Sequence, residues 1–268
     1  HILCEKPLCT TVEDAQDIAR RVAGRKGVFW VGMEYRFMPP VSSFIADVHT
    51  GRAGQLRRLA LHEHRFPFLR KVGDWNRFNR NTGGTMVEKC CHFFDLMRHI
   101  VQAKPVRVFC SGAADVNHQD ERYDGQVPDI IDNSYTVVDF ENGVRALLDL
   151  CMFAEGSEEQ ESLVAIGDSA KLEVGIPSGI KVFSPRSAKN DPAQIVREHV
   201  DVDSSVLEAG HHHGATYFQL LAFLDAAAGH GPGQVTAEDG VWAVAMGAAA
   251  ELSAREKRAV DIAELLPL

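Results

Sequence analysis

The sequence contains no uninterrupted apolar run approaching the roughly 20 residues that span a bilayer. Nor has it any excess of positive charge: 37 acidic side chains stand against 28 basic ones, for a formal charge of −9. Nucleic acid and anionic membranes both call for a basic face, so neither is expected as a partner. The six cysteines (Cys4, Cys9, Cys90, Cys91, Cys110 and Cys151) show no repeated spacing and no Cys-x-x-Cys. That argues against a disulfide framework and against a zinc or redox motif, and the thiols read as small apolar residues in a reducing compartment. The opening residues HILCEKPLCTT lack a charged-then-apolar export pattern, and a cytoplasmic protein is expected. Internal repeats are absent, and no Gly-x-Gly-x-x-Gly occurs anywhere.

What is present is ordinary globular material, 268 residues with 45% apolar and 24% charged side chains. HILC reads as a short buried strand, Thr10 or Thr11 as the cap of a helix ending near Gly24, and VFWVGM (28–33) as a second strand. Strand, helix and strand within one short stretch make a βαβ unit, the building block of parallel sheets. Beyond Arg36 the pattern changes. Pro39 opens a helix to about Thr50, and QLRRLALHEHRF alternates as a half-buried strand. A loop rich in Arg and Asn (70–82) leads into TMVEKCCHFFDLMRHIV, which reads as one helix. After Pro105 strands dominate, many alternating apolar and polar, and two helices at about 214–229 and 236–257 close the chain. The expected architecture is α/β: the end of a parallel layer, then an α+β domain on a large open sheet.

Three groups of residues could carry chemistry. Glu5-Lys6-Pro7 follows the first strand, and ligands of open parallel sheets sit at the carboxyl ends of strands. A lysine there can hold a substrate hydroxyl and stabilise charge on its oxygen; a solvated Glu–Lys pair is the plainer reading. Glu88, His92 and Asp95 fall at i, i+4 and i+7 of the expected helix, on one face. A histidine that takes a hydroxyl proton needs a carboxylate to set its tautomer, and Glu88 or Asp95 could do so. The third is His211-His212-His213 before a helix. Three consecutive histidines cannot all ligate one ion, so no metal is expected, and one of them more plausibly faces a pocket. Tyr35-Arg36 and Trp75 with Asn76 are weaker candidates, as are His62, His64 and Arg65, which end a strand where they could rim a pocket.

HILCEKPLCTTVEDA, MEYRFMPP, GGTMVEKCCHFFDL and HHHGATYFQLLAFLDA together resemble the glucose–fructose oxidoreductase/inositol dehydrogenase/rhizopine-catabolism (Gfo/Idh/MocA) oxidoreductases over nearly the whole chain. The resemblance implies that residues 1–36 are the C-terminal remnant of a Rossmann domain. Residues 37–268 would form a substrate-binding and oligomerisation domain built on a large open, mostly antiparallel sheet. It implies NAD or NADP as cofactor, a sugar, inositol or related polyol as substrate, and a homo-oligomer (dimer or tetramer) formed through the open sheet. Carried over by position, Lys6 and His92 are the catalytic pair, with Glu88 where members commonly have Asp. Glu5, Lys6, Pro7, Tyr35 and Arg36 would line the nicotinamide, while Trp75, Asp95, His212 and His213 would face the substrate. Members begin with a glycine-rich turn that holds the pyrophosphate. This sequence lacks it, so poor dinucleotide binding by this polypeptide is expected. The alternative is a catalytically inactive remnant serving as an oligomerisation or binding module.

Overall fold

The computed structural model of the chain describes every residue except 188–190, 209, 211 and 268. β1 (Ile2–Cys4) and β2 (Phe29–Val31) pair in parallel, Leu3 opposite Trp30, and α1 (Val12–Val22) is their crossover. Thr11 is the cap of α1, its side chain accepting from the Asp14 N–H. β2 is shorter than the apolar run that encodes it. After Val31, whose N–H bonds to the Val235 carbonyl, the chain turns into a single 3-10 turn at Glu34–Phe37. α2 (Pro39–His49) follows, with prolines at its first positions, where a missing N–H costs nothing.

Nine strands make the second sheet: β3 (Leu56–His64), β4 (Pro105–Ala113), β5 (Asn133–Phe140), β6 (Arg145–Cys151), β7 (Glu161–Gly167), β8 (Ala170–Ile176), β9 (Ile180–Pro185), β10 (Val196–His199) and β11 (Val260–Asp261). Their order is β10-β9-β8-β7-β3-β6-β5-β4-β11, with β3 and β6 parallel and every other pair antiparallel. The large, mostly antiparallel sheet expected from the alternating pattern is therefore present. ENG (141–143) makes the hairpin between β5 and β6, and Gly143 takes the positive φ (82°) that such a turn needs.

The helices are α3 (Asn79–Thr82), α4 (Thr85–Glu88), α5 (Cys91–Val101), α6 (Ser204–Glu208), α7 (Ala215–Ala227) and α8 (Ala237–Glu256). α2, α5 and α8 cover one face of the large sheet, packing on β8, β3 and β4. The core there is Leu59 and Leu61 of β3, Leu148 and Leu150 of β6, Leu163 of β7, and Phe93, Phe94 and Met97 of α5. α8 also touches α1, β2 and α4, so a single helix ties the parallel pair to the sheet and to the short helix α4. It can approach α4 closely because it presents Gly247. A Cβ on that residue would lie 2.6 Å from the Met86 carbonyl oxygen.

The other face of the sheet is uncovered among the described residues. Along it Phe109, Val137, Leu147, Ala60 and Val164 stand in register across β4, β5, β6, β3 and β7. Phe109 is 45% and Tyr135 61% exposed.

Candidate active site

Lys6 leaves the carboxyl end of β1, and its bond to Pro7 is cis. Its ammonium donates to the main-chain carbonyl of Glu88 at 3.0 Å and lies 3.6 Å from the Glu88 carboxylate. That contact explains a departure from the expected single helix at 85–101. The Glu88 carbonyl would ordinarily accept from the N–H of His92, but here it accepts from Lys6 Nζ. α4 stops at Glu88 and α5 starts at Cys91, with Lys89 and Cys90 as the turn between them. Glu88 partners Lys6 and does not orient the imidazole. A correction follows for Asp95 too: both its oxygens bind Arg36, with Arg36 Nε donating at 2.6 Å, so its carboxylate is engaged there and not by His92.

His92 is almost fully buried, and its Nδ1 has no hydrogen-bond partner. Its ring lies flat on the Tyr35 ring, centroids 4.1 Å apart and planes 6° off parallel. Burial pushes this imidazole well below the usual histidine range, and the cations Lys6 and Lys89, with His212 and Arg65, push it further. Around neutrality it is uncharged and able to accept a proton. His212 completes the group, its ring 5.4 Å from Tyr35 and 6.4 Å from His92, and its Nδ1 2.8 Å from a carboxylate oxygen of Glu34.

Behind Tyr35 sits an ion cluster that the sequence reading missed. Lys89 Nζ lies 2.7 Å from Glu63 Oε1 and donates to the Tyr35 hydroxyl at 3.1 Å. Arg65 reaches the same Glu63 oxygen at 2.9 Å. Glu161 stands opposite Glu63 on the neighbouring antiparallel strand. Burial, with Glu63 adding to it, raises the Glu161 carboxyl to about 7, against the pull of Lys89 and Arg65. One signal was available. The alternation that points Leu59 and Leu61 inward also points Glu63 inward, and the same rule turns Glu161 in beside Leu163. His62 and His64, taken as possible rim residues, stack on each other instead, 4.6 Å between centroids, because the same alternation sends them to the opposite face.

The other expected site residues divide. Glu5 and Pro7 flank Lys6 at the end of β1, and Gly32 leaves room for the Glu5 carboxylate, which would be 3.2 Å from a Cβ there. Arg36 does not reach this place. It is buried, paired with Asp95 and 3.3 Å from Asp239, and donates to the Gln234 carbonyl at 3.0 Å, so its guanidinium is taken up in joining these segments. Trp75 lines a separate depression of about 380 Å³ with Asp74, Arg80, Arg122 and Tyr123. His213, next to His212, holds a left-handed φ of 52°, and burial, with His212, lowers its imidazole below the usual range. His211 lies outside the described residues. Among the described residues no three His, Cys, Asp or Glu side chains converge as a metal site requires.

The sequence profile described as "Oxidoreductase family, C-terminal alpha/beta domain" matches residues 46–262. YteT of Bacillus subtilis, an oxidoreductase by name, is 29% identical over 117 residues, 42% of this chain and 27% of that protein. The myo-inositol 2-dehydrogenase of Thermotoga maritima is 23% identical over 99% of this chain and 74% of its own length. Levoglucosan dehydrogenase in complex with NADH and levoglucosan superposes with a TM-score of 0.81 at 18% identity, covering 98% of this chain and 73% of that one. At that identity the match is one of fold. The chain thus spans about a quarter of one of these relatives and about three-quarters of the other two. With the profile covering most of the sequence, the chain belongs to the Gfo/Idh/MocA oxidoreductase family.

Proposed function

We propose that the protein acts as an NAD(P)-dependent dehydrogenase on a CH–OH group of a sugar, inositol or related polyol. The observation that carries this reading is that Lys6, from the carboxyl end of a parallel strand, acts electrostatically on the buried, neutral His92 imidazole, whose Nδ1 has no hydrogen-bond partner. An ammonium beside an uncharged imidazole is what removal of a hydroxyl proton requires. Lys6 would hold the substrate oxygen and stabilise its developing negative charge. His92 would take the hydroxyl proton on a ring nitrogen, or return it in the reverse direction. Glu88 would keep Lys6 aimed, and His212 would contact a neighbouring hydroxyl.

The orphaned His92 Nδ1 and the open strand end at Glu5-Lys6-Pro7 fit the nicotinamide end of a dinucleotide. Glu5, Lys6 and Pro7 would hold it there. When bound, the nicotinamide supplies a hydride acceptor or donor for the substrate carbon. No Gly-x-Gly-x-x-Gly pattern occurs among these 268 residues. We assign residues 1–36 to the closing part of a dinucleotide-binding layer and 37–268 to the substrate domain. The uncovered apolar row on the sheet, flanked by charges of both signs, suits a second copy of the chain as its partner.

The test is a thermal-shift panel of NAD(H), NADP(H) and polyols, followed by turnover with whatever binds. A polyol should raise Tm, and Lys6→Ala should abolish that response and cut turnover by roughly three orders of magnitude. No response to any polyol, or a rate nearly unchanged in Lys6→Ala, would overturn the reading.

A further inference from the structure

We propose that Lys89, clamped between the Glu63 carboxylate and the Tyr35 hydroxyl, is a positioning residue that holds the Tyr35 ring in place as the platform for His92. This rests on the reading of His92 as the acid–base group, but its geometry stands independently. A histidine that handles protons usually gets its orientation from a carboxylate on the far ring nitrogen. His92 has none, since Glu88 is turned to Lys6, Asp95 is bound to Arg36, and Nδ1 has no partner. What defines the plane of the imidazole is the flat stack on Tyr35. The phenol is in turn held from its tip, where Lys89 Nζ donates to the hydroxyl at 3.1 Å, while Phe93 meets its ring edge-on at 5.6 Å.

The break between α4 and α5 is what makes this possible. Lys89 occupies the turn residue just after α4, and its side chain runs inward until only 9% of it is exposed. A buried ammonium is tolerated only when paired, and Glu63 provides the partner at 2.7 Å. Arg65 shares that carboxylate, and Glu161 faces it from β7, so two basic side chains and two carboxyls meet in the cluster. Hydrophobic residues of the same size would fill this space at less cost. The expense makes sense where a ring has to be held at one angle.

The experiment follows His92 by NMR in isotopically labelled protein and needs no turnover. In the parent protein the His92 ring protons should show a large upfield ring-current shift from Tyr35, and the imidazole should stay uncharged well below pH 6.5. Lys89→Met should shrink the ring-current shift and move the titration of His92 upward, since Lys89 is one of the cations that hold it down. Lys89→Arg, which keeps charge and donors, should restore most of both. Tyr35→Phe removes only the oxygen that Lys89 holds and should reproduce the loss of ring-current shift without removing a charge. The double variant Lys89→Met/Glu63→Gln removes the pair together and guards against misfolding from a stranded carboxylate. Ring-current shifts that match the parent protein in folded Tyr35→Phe and Lys89→Met would overturn the proposal. Failure of the polyol panel would sink the dehydrogenase reading and leave this result standing. Where turnover is measurable, Lys89→Met should lose about tenfold or more in kcat with KM changed little.

Discussion

Arg36 and Asp95 show how one buried pair can imitate a site in the sequence and be architecture in the fold. Arg36 sits next to Tyr35 and Asp95 follows the core residue Phe94, and both are polar within apolar surroundings. Their side chains meet each other, with Arg36 6% and Asp95 2% exposed. Removing one partner leaves the other as a buried charge, so Asp95→Asn should cost about 3–5 kcal/mol of stability in urea unfolding. A loss below about 1 kcal/mol would mean that the pair is not what holds the turn at Glu34–Phe37. His92 leads to a second expectation at this scale. Its folded pKa lies well below 6.5, so the neutral form persists as pH falls through that value. Oxidation that depends on neutral His92 should therefore hold its rate from pH 7 to pH 6, where an ordinary histidine would lose much of it. Lys6 and His92 were legible because a strand end and a polar residue inside an apolar helix are local signals. The partner of each was not, because it is chosen in three dimensions.

At the scale of the element, α8 controls more than its length suggests. Thr236 and Asp239 form a capping box at its start, and Asp239 also takes Arg98 at 2.6 Å. Thr236→Ala should destabilise by about 1 kcal/mol, read as a fall in Tm. Gly247→Val is the more severe change, since the atoms in its way are the Met86 carbonyl oxygen and the Val87 Cα, which are main chain and cannot swing aside. It should displace α4 and with it the Glu88 carbonyl that Lys6 grips. A drop of several degrees in Tm with loss of any polyol response is expected; a wild-type profile would show that α8 does not set the position of α4. The extent of α1, α2, α7 and α8 followed from apolar spacing and end signals. The split between α4 and α5 did not, because the Glu88 carbonyl at the break is engaged by Lys6, 82 residues away. The short β11, paired with β4 after α8, carries too few residues to have a pattern.

Across the whole molecule, buried carboxyls set an unusual pH dependence. Burial raises Glu251 in α8 to about 7 from 4.5, as it does Glu161. Between those values the folded chain keeps a proton that the unfolded chain loses, so each group's contribution falls as pH rises from 4.5 to 7. His92 and His99 act in the opposite sense, because their folded values are depressed, and stability is lost as pH drops below 6.5. Glu251→Gln keeps the acceptor for the Met86 N–H and removes one titration. Stability at pH 8 relative to pH 5 should rise by the order of 2 kcal/mol over the parent protein. No change in that difference would mean that Glu251 is already ionised at pH 8 at no cost. Glu251 has a further consequence, because its bond to the Met86 N–H joins residues 165 positions apart. During synthesis, Lys6 and His92 leave the ribosome long before α8 exists to seat the helix between them. At about 5–20 residues per second the delay is roughly 10–30 seconds. Throughout that interval the nascent chain carries Lys6 and His92 without the helix that seats α4 between them, so their arrangement waits on a segment made 165 residues after Met86.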